Sequence, residues 1–152
     1  MAARGRFIPK NPTKYVGNAN RIMFRSSWEL AFFKWLDNND AIIKWGSEEL
    51  FIPYISPLDG QVHRYFPDIV LLYRHVDGSI RKEIVEIKPF KESIAAAAKS
   101  DRDKLALMVN DAKWKAAAEF ASRHNATFRV VTEKTMFPRI VKRQPPALGR
   151  AV

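Results

Sequence analysis

The sequence predicts an α/β fold in which a mixed β-sheet is flanked by helices. Three observations favour this class. An apolar helical pattern precedes a group of strand-like segments, a long helical region follows that group, and a short alternating segment comes last. The order helix, three strands, helix, strand is typical of helices packed on one sheet. The chain has 152 residues, 47% of them hydrophobic, which suffices for the core of one domain and is too short for two ordinary domains.

The first helix is expected to begin near Ser26 or Ser27, because either serine side chain can cap the free amide groups of a helix start. Its broad apolar face is supplied by Trp28, Leu30, Ala31, Phe32, Trp35 and Leu36. Residues 1–20 are rich in glycine, proline, asparagine and basic residues, and we expect them to form an extended arm.

Three strand-like segments follow the first helix. Residues 48–54 predict a strand that ends at Pro53. Residues 63–74 and 80–88 are short runs dominated by β-branched and aromatic residues and bounded by turn residues, so they predict a β-hairpin.

The second helical region lies somewhere within residues 92–124. Asp101 and Asp103 are typical of acids at a helix start, and Asn110 is a plausible cap for the last part of the region. Residues 128–132 alternate between apolar and polar side chains as a short strand does.

Charged residues inside the two hairpin strands point to chemistry. Asp68, Glu86 and Lys88 stand within apolar runs, where an unpaired ion costs several kcal/mol. A divalent cation held by the two carboxylates would neutralise them, with Lys88 beside it. The alternative is that both acids flank the ends of ordinary strands and pair with Lys88 or with nearby arginines.

The hairpin loop decides whether the carboxylates can meet. A two-residue loop of Asp77 and Gly78 would place Asp68 opposite Ile87, so the two carboxylates would point to opposite faces. A three-residue loop from Asp77 to Ser79 would place Asp68 opposite Lys88 and diagonal to Glu86, all on one face. A glycine can supply the left-handed residue of such a loop. We therefore predict the longer loop or an equivalent bulge.

Composition excludes several classes of site. The chain has no cysteine, so it has no disulfide, thiolate zinc site or cysteine nucleophile. Its three histidines are scattered without metal-ligand spacing. No apolar run approaches the roughly 18 residues that a membrane span needs, and the first residues lack the apolar stretch of a signal peptide.

Positive charge is concentrated at the two ends of the chain. The net charge is +10; residues 1–25 and 134–152 hold eleven basic residues and no acid, and residues 26–133 are nearly neutral. Such a distribution favours binding of a phosphate backbone over the alternatives of mere solubility or an acidic protein partner. The expected DNA contacts in these arms are Arg4, Arg6, Lys10, Lys14, Arg21, Arg25, Lys142 and Arg143. Phe7, Tyr15 and Phe137 would stack on bases, or would dock against the body or a partner.

Two sets of motifs carry a resemblance to known families. Pro67-Asp68 followed by Glu86-Ile87-Lys88 resembles the signature of the PD-(D/E)XK nuclease superfamily. Further segments resemble the head completion nucleases of contractile-tailed bacteriophages: residues 14–18, 25–29, 110–117 and 128–133. The resemblance covers roughly residues 9–134, so residues 26–133 are predicted to be the nuclease domain.

The resemblance implies a restriction-endonuclease-like core and metal-dependent hydrolysis of phosphodiester bonds. Mg²⁺, or Mn²⁺, would be bound by Asp68, Glu86 and the backbone carbonyl of Ile87, because oxygen ligands select these ions. Lys88 would stabilise charge in the transition state. Glu29, on the first helix, would join the site as a further ligand or orient a water, although an acid is also ordinary in a first helical turn. Lys113 would contact DNA or the active site, or lie on a solvated helix face.

The resemblance also implies a biological setting. The expected activity is an endonuclease with weak sequence preference that acts on double-stranded DNA in phage head completion, before tail attachment. Portal or neck proteins are the expected partners, no membrane is involved, and the expected location is the virion head-neck region and the host cytoplasm. Two alternatives stay open: a DNA-binding structural protein of the virion neck with a nuclease-like scaffold, and a strand-cleaving transposase subunit that needs a partner recombinase.

Overall fold

The structure is a computed structural model that describes residues 4–89, 100–132 and 134–135 of the chain. Four of its strands form a central sheet. The strands of the described chain are β1 Gly5–Arg6, β2 Met23–Phe24, β3 Ile42–Ser47, β4 Ile52–Ile55, β5 Val62–Tyr65, β6 Ile69–Arg74, β7 Ile80–Ile87 and β8 Ala126–Val131. Strands β3, β6 and β7 are antiparallel neighbours, and β8 pairs in parallel with β7. The predicted α/β class with a mixed sheet is confirmed.

Two α-helices flank this sheet. The first, α1, spans Ser27–Asn38, and the Ser26 side chain accepts a hydrogen bond from the amide of Glu29, so the predicted cap is confirmed. The second, α2, spans Asp101–Arg123 and begins with a capping box between Ser100 and Asp103. Asn110 lies inside α2, so its prediction as a cap is wrong. The continuous helix provides the crossover that two parallel strands require.

The sheet is buried on both faces. Ile84 and Val85 are consecutive residues of β7 and therefore point to opposite faces. Val85 belongs to the cluster that includes Phe33 and Leu36 of α1, whereas Ile84 packs in the cluster that includes Ala117 of α2. Both faces of the central strand are thereby removed from water, which fits the continuous apolar runs in the sequence.

The N-terminal segment is packed on the domain, which corrects the expectation of an extended arm. Phe7, Tyr15 and Ile22 are buried in the α1-side core, and the Tyr15 ring meets Trp45 edge to face with centroids 4.8 Å apart. The buried carboxylate of Asp37 accepts hydrogen bonds from two backbone amides of this segment. Aromatic residues between the basic ones therefore dock the segment, which was the second of the two expected roles for Phe7 and Tyr15.

The first strand of the predicted group is misplaced. The central sheet uses β3, Ile42–Ser47, rather than residues 48–54. The later segment forms β4 instead, which pairs only with β5 in a separate two-stranded sheet. Pro53 lies within β4 rather than at its end. A proline is tolerated there because each strand of a two-stranded sheet has one edge without ladder hydrogen bonds.

A break at Pro67 divides the predicted strand over residues 63–74. Its first part belongs to β5, which pairs with β4, and its second part is β6 in the central sheet. Pro67 is fully buried and has no amide hydrogen to donate to a ladder. The sequence order helix, three strands, helix, strand nevertheless describes the core, with β3, β6 and β7 as the three strands.

The β6–β7 loop has three residues, as predicted, but it is displaced by one position. His75 donates its amide hydrogen to the Ser79 carbonyl, which leaves Val76, Asp77 and Gly78 as the loop. Gly78 takes the left-handed position with φ of 89°, and Asp77 accepts hydrogen bonds from both the amide and the hydroxyl of Ser79. The prediction of a loop from Asp77 to Ser79, which would have set Asp68 opposite Lys88, is therefore wrong.

No helix of the described residues is long and apolar enough to cross a membrane. The predicted DNA contacts Lys142 and Arg143, together with Phe137, lie outside the described residues, as does nearly all of the predicted basic tail over residues 134–152.

Candidate active site

Asp68 and Glu86 lie side by side at one end of the sheet. Strands β6 and β7 pair Ile69 with Val85, and continuing that register by one residue sets Asp68 opposite Glu86. Residues in register share a face, and this face is the one covered by α2. The Asp68 carboxylate also accepts a 2.7 Å hydrogen bond from the amide of Ile87. The prediction that the two carboxylates share a face is confirmed, with a register two residues from the expected one.

Both carboxyl groups are held in an environment that disfavours their charge. Burial is the largest cause, and the neighbouring charge of Glu86 adds to it, so the pKa of Asp68 is raised to about 8. Burial likewise raises the pKa of Glu86, although the Tyr65 hydroxyl and two lysines act in the opposite direction. A cation beside these two adjacent carboxylates would offset the cost of their burial and their mutual repulsion.

The Glu86 carboxylate has a fixed position. The hydroxyl of Tyr65, at the end of β5, donates a 2.6 Å hydrogen bond to it. Tyr65 is buried, and burial together with the Glu86 charge raises the pKa of its hydroxyl far above the ordinary value, so it remains a donor. The short β4–β5 sheet thus contributes directly to the geometry of the carboxylate pair.

Two lysines bring positive charge to the same place. Lys88 follows Glu86 by two residues, and its Nζ lies 5.9 Å from the centroid of the Trp114 ring on α2. The Nζ of Lys113 lies 5.7 Å from the Tyr65 ring and 5.9 Å from the Tyr54 ring. Both ammonium groups lower the pKa of Glu86, against the effect of burial. Of the roles considered for Lys113, the structure places it at the candidate active site rather than on a solvated helix face.

The Glu29 carboxylate caps the start of α1. Its Oε1 accepts a 2.7 Å hydrogen bond from the amide of Arg25, at the start of α1. Its charge is also among the smaller causes that raise the pKa of Asp68, so it acts on the site electrostatically. A role for Glu29 as a metal ligand or a water-orienting group stays a prediction.

The basic residues of the N-terminal segment divide into two groups. Lys14 is half-buried, and its ammonium group donates hydrogen bonds to the carbonyls of Asp37 and Asn39, at the end of α1. Arg25 pairs through both guanidinium nitrogens with Glu48. These two cations serve contacts inside the domain. Arg4, Arg6, Lys10 and Arg21 are exposed, and so is Arg25, whose side chain stays 54% exposed in its ion pair with Glu48.

The donor set fits a magnesium-type ion. Within the described ranges, no group of three histidine, cysteine, aspartate or glutamate side chains is positioned to hold a metal. Asp68 and Glu86 would therefore supply two carboxylates to such an ion, and further ligands would come from the Ile87 carbonyl, water or substrate. That composition suits Mg²⁺ or Mn²⁺, because Mg²⁺ usually keeps several waters and takes only one or two protein carboxylates.

Two supporting residues were missed by sequence reasoning. The sequence predicts that Tyr65 lies in the same strand as Asp68, whereas Tyr65 ends the separate strand β5 and reaches Glu86 through its hydroxyl. Pro67 was the signal in the sequence for the break between the two strands. Glu48 has a positive φ of 55°, and its amide donates a hydrogen bond to the Asp68 carbonyl. Nothing in the local sequence distinguishes Glu48 from an ordinary acid at a strand end.

The chain is similar to known nucleases along most of its length. The family model described as TnsA-like endonuclease N terminal matches residues 39–133, which is well over half of the chain and includes Asp68, Glu86 and Lys88. The chain is 41% identical over 143 residues to the head completion nuclease of Enterobacteria phage T4, covering 88% of this chain and 93% of the phage protein. The resemblance to the head completion nucleases is thereby confirmed. The chain belongs to the head completion nuclease family and contains a TnsA-like endonuclease domain with a restriction-endonuclease-like fold.

Proposed function

We propose that the protein is a Mg²⁺-dependent endonuclease that hydrolyses phosphodiester bonds of double-stranded DNA. The observation that carries the proposal is the pairing of Asp68 with Glu86 at one end of the sheet, where burial raises the pKa of both groups. A buried pair of this kind is costly unless a cation neutralises it. Membership of two nuclease families supports the same reaction.

In this proposal, Asp68 and Glu86 hold the ion together with the Ile87 carbonyl. A bound Mg²⁺ ion would supply charge neutralisation at the scissile phosphate and lower the pKa of a water nucleophile. Tyr65 keeps the Glu86 carboxylate in one orientation through its hydrogen bond. Lys88 contributes positive charge where the phosphate becomes more negative in the transition state. Lys113, from α2, adds a second cation that can approach a phosphate oxygen.

DNA binding is proposed to rest on phosphate contacts. The net charge of +10 and the exposed basic residues of the N-terminal segment support an electrostatic mode of binding. Contacts to phosphates carry no sequence information directly, so we expect weak sequence preference and a steep loss of affinity as the salt concentration rises.

We further propose that the enzyme acts on packaged DNA in head completion, before tail attachment. The name of the phage T4 relative, which matches along nearly the whole chain, supports this setting. The expected location is then the head-neck region of the virion and the host cytoplasm, with portal or neck proteins as partners.

Cleavage of plasmid and linear DNA by the purified full-length chain tests the proposal. Wild type is expected to cut with Mg²⁺ or Mn²⁺ and not with EDTA. Asp68→Asn, Glu86→Gln and Lys88→Ala are each expected to lose at least a hundredfold in rate. Glu83→Gln is the matched control, because Glu83 is on the same strand and its carboxylate instead pairs with Arg129. Binding to the same DNA in EDTA should persist in every variant.

Two other functions make different predictions in the same assay. A DNA-binding structural protein of the virion neck would bind DNA and show no cutting with either metal. A strand-cleaving transposase subunit, a reading favoured by the TnsA-like family match, would cut only after addition of a partner recombinase. Metal-dependent cutting by the isolated chain contradicts both.

A further inference from the structure

The outer face of the β4–β5 sheet carries an exposed row of apolar side chains. Strand pairing sets Ile55 against Val62, and continuing the register in the other direction sets Phe51 against Phe66. The two phenylalanines are each 47% exposed, and their ring centroids are 5.9 Å apart. The row ends in aromatic rings near Asp68 and in aliphatic side chains at the far end.

One cation belongs to the aromatic end of this row. The guanidinium group of Arg64 lies 5.0 Å from the centroid of the Phe51 ring. Arg64 is exposed, and it forms no ion pair within the described part of the chain. An exposed pair of rings with an adjacent arginine is suited to a ligand that has both an aromatic plane and an anionic group.

The aromatic end lies next to the carboxylate pair. Only Pro67 separates Phe66 from Asp68, so their Cα atoms can be no more than about 7.6 Å apart. Tyr65, the last residue of β5, points to the inner face and holds Glu86. The next residue, Phe66, presents its ring on the outer face, so adjacent residues support the carboxylate pair and carry the exposed ring.

We propose that Phe51, Phe66 and Arg64 bind an unpaired nucleotide of the DNA strand beside the cleavage site. The base stacks on the phenylalanine rings and Arg64 contacts a phosphate, which gives the enzyme a preference for DNA with single-stranded ends, gaps or flaps. Stacking on aromatic rings is tolerant of base identity, and it is the usual way in which proteins hold unpaired bases. This inference rests on the proposed nuclease function and adds its substrate class.

Charge and chemistry favour nucleic acid over a protein partner on this face. The guanidinium group of Arg64 places a positive charge at the aromatic end of the row, directly against the Phe51 ring. A protein interface would use the whole apolar row, including Ile55 and Val62. A nucleotide would use only the rings and the arginine. The two occupants therefore differ in which substitutions weaken binding.

Binding measured in EDTA separates this inference from cleavage. Fluorescence anisotropy would compare a blunt duplex with the same duplex carrying a short single-stranded overhang, and 2-aminopurine in the overhang would report stacking. Phe66→Ala and Arg64→Ala are expected to weaken overhang binding about tenfold, to change blunt-duplex binding less than twofold, and to remove the change in 2-aminopurine emission. Ile55→Ala, exposed on the same face at the far end, is the matched control and should match wild type.

Several outcomes would overturn the inference. These are equal affinity of wild type for blunt and overhang DNA, an equal loss of both in Phe66→Ala, or an unchanged 2-aminopurine signal. Dissociation of a wild-type dimer by Phe66→Ala and Ile55→Ala alike, seen by analytical ultracentrifugation, would assign the face to a second copy of the chain. If wild type cuts blunt DNA with Mg²⁺ in any of these cases, the proposed function stands and only the substrate class is wrong.

Discussion

The hydroxyl of Tyr65 lies 2.6 Å from the Glu86 carboxylate and joins two sheets that share no strand. Tyr65 ends β5 in the two-stranded sheet, and Glu86 is near the end of β7 in the central sheet. The second residue of the carboxylate pair is thus oriented from outside its own sheet. The β4–β5 sheet is therefore part of the candidate active site.

Replacing Tyr65 with phenylalanine removes only this hydrogen bond. A hydrogen bond to a charged group contributes about 1.5–3 kcal/mol, so we expect Tyr65→Phe to cut DNA about 10- to 100-fold more slowly and to need more Mg²⁺. Tyr73→Phe is the matched control, because the Tyr73 hydroxyl is 3.5 Å from the Glu83 carboxylate on the same sheet. Initial rates over a Mg²⁺ titration would measure the effect. Equal rates for Tyr65→Phe and wild type would show that Glu86 does not depend on this contact.

The shared face of Asp68 and Glu86 could be predicted from sequence because it depends only on the parity of the register, whereas their direct pairing was not predicted. Side chains along a strand alternate between the two faces of the sheet, so shifting the register of two paired strands by two residues leaves every side chain on the same face. The displaced loop was such an error. The position of Tyr65 depends instead on where β5 ends and on the pairing of β5 with β4. No local periodicity indicates that the chain leaves one sheet at Pro67 and enters another.

The N-terminal segment shows a different limit of sequence reasoning. Its glycines, prolines and basic residues are typical of an extended arm, yet three spaced apolar side chains, Phe7, Tyr15 and Ile22, are enough to dock it on the core. The capped start of α1 was recognised, by contrast, because a serine just before an apolar helical pattern is a local signal. For α2 only the acids of the first turn, Asp101 and Asp103, were recognised, and the cap at Ser100 was not. The docking of the N-terminal segment depends on contacts with residues far away in the chain, and no local sequence pattern reports such contacts.

The raised pKa of Asp68 predicts how the metal-free protein responds to pH. Its pKa is near 3.8 when unfolded and about 8 when folded, so the folded state binds more protons between those values. The free energy of unfolding therefore falls as the pH rises from about 4 to 8. We expect Asp68→Asn in EDTA to be more stable than wild type at pH 8.5, by on the order of 1–3 kcal/mol, and the gain to shrink at pH 5. Urea unfolding would measure both.

The control for this experiment is Asp111→Asn, because the Asp111 side chain is exposed and pairs only with Lys115 in the described chain. That variant should track wild type at both pH values. Wild type with added Mg²⁺ should recover the stability lost at pH 8.5, since the ion neutralises the carboxylate pair. A gain from Asp68→Asn that is the same at pH 5 and pH 8.5 would contradict the assignment.

Asp37 is expected to hold the N-terminal segment in place. Its carboxylate is 1% exposed and accepts hydrogen bonds of 2.7 Å and 3.1 Å from the amides of Lys10 and Asn11. Asp37→Ala would remove two part-buried hydrogen bonds to a carboxylate, and a hydrogen bond to a charged group contributes about 1.5–3 kcal/mol. We expect a loss of stability on the order of 3 kcal/mol.

Hydrogen exchange provides the specific readout for Asp37. The amides of Lys10 and Asn11 should exchange faster in Asp37→Ala by a factor larger than the global loss of stability explains. Asp40→Asn, an exposed acid just beyond the same helix, should leave both amides protected. Unchanged protection of the two amides in Asp37→Ala would show that the Asp37 carboxylate does not hold the segment in place.

Lys113 and Lys115 offer a matched pair on one helix. Lys113 Nζ lies near the Tyr54 and Tyr65 rings and acts on Glu86, whereas the Lys115 side chain is 78% exposed and pairs with Asp111. We expect Lys113→Ala to slow Mg²⁺-dependent cutting about tenfold, because a cation beside the carboxylate pair is lost where a phosphate must approach. Lys115→Ala should stay within twofold of wild type. Lys113→Arg should restore part of the rate, since it restores the charge. Equal effects of Lys113→Ala and Lys115→Ala, both vanishing at high salt, would instead assign Lys113 to general attraction of DNA.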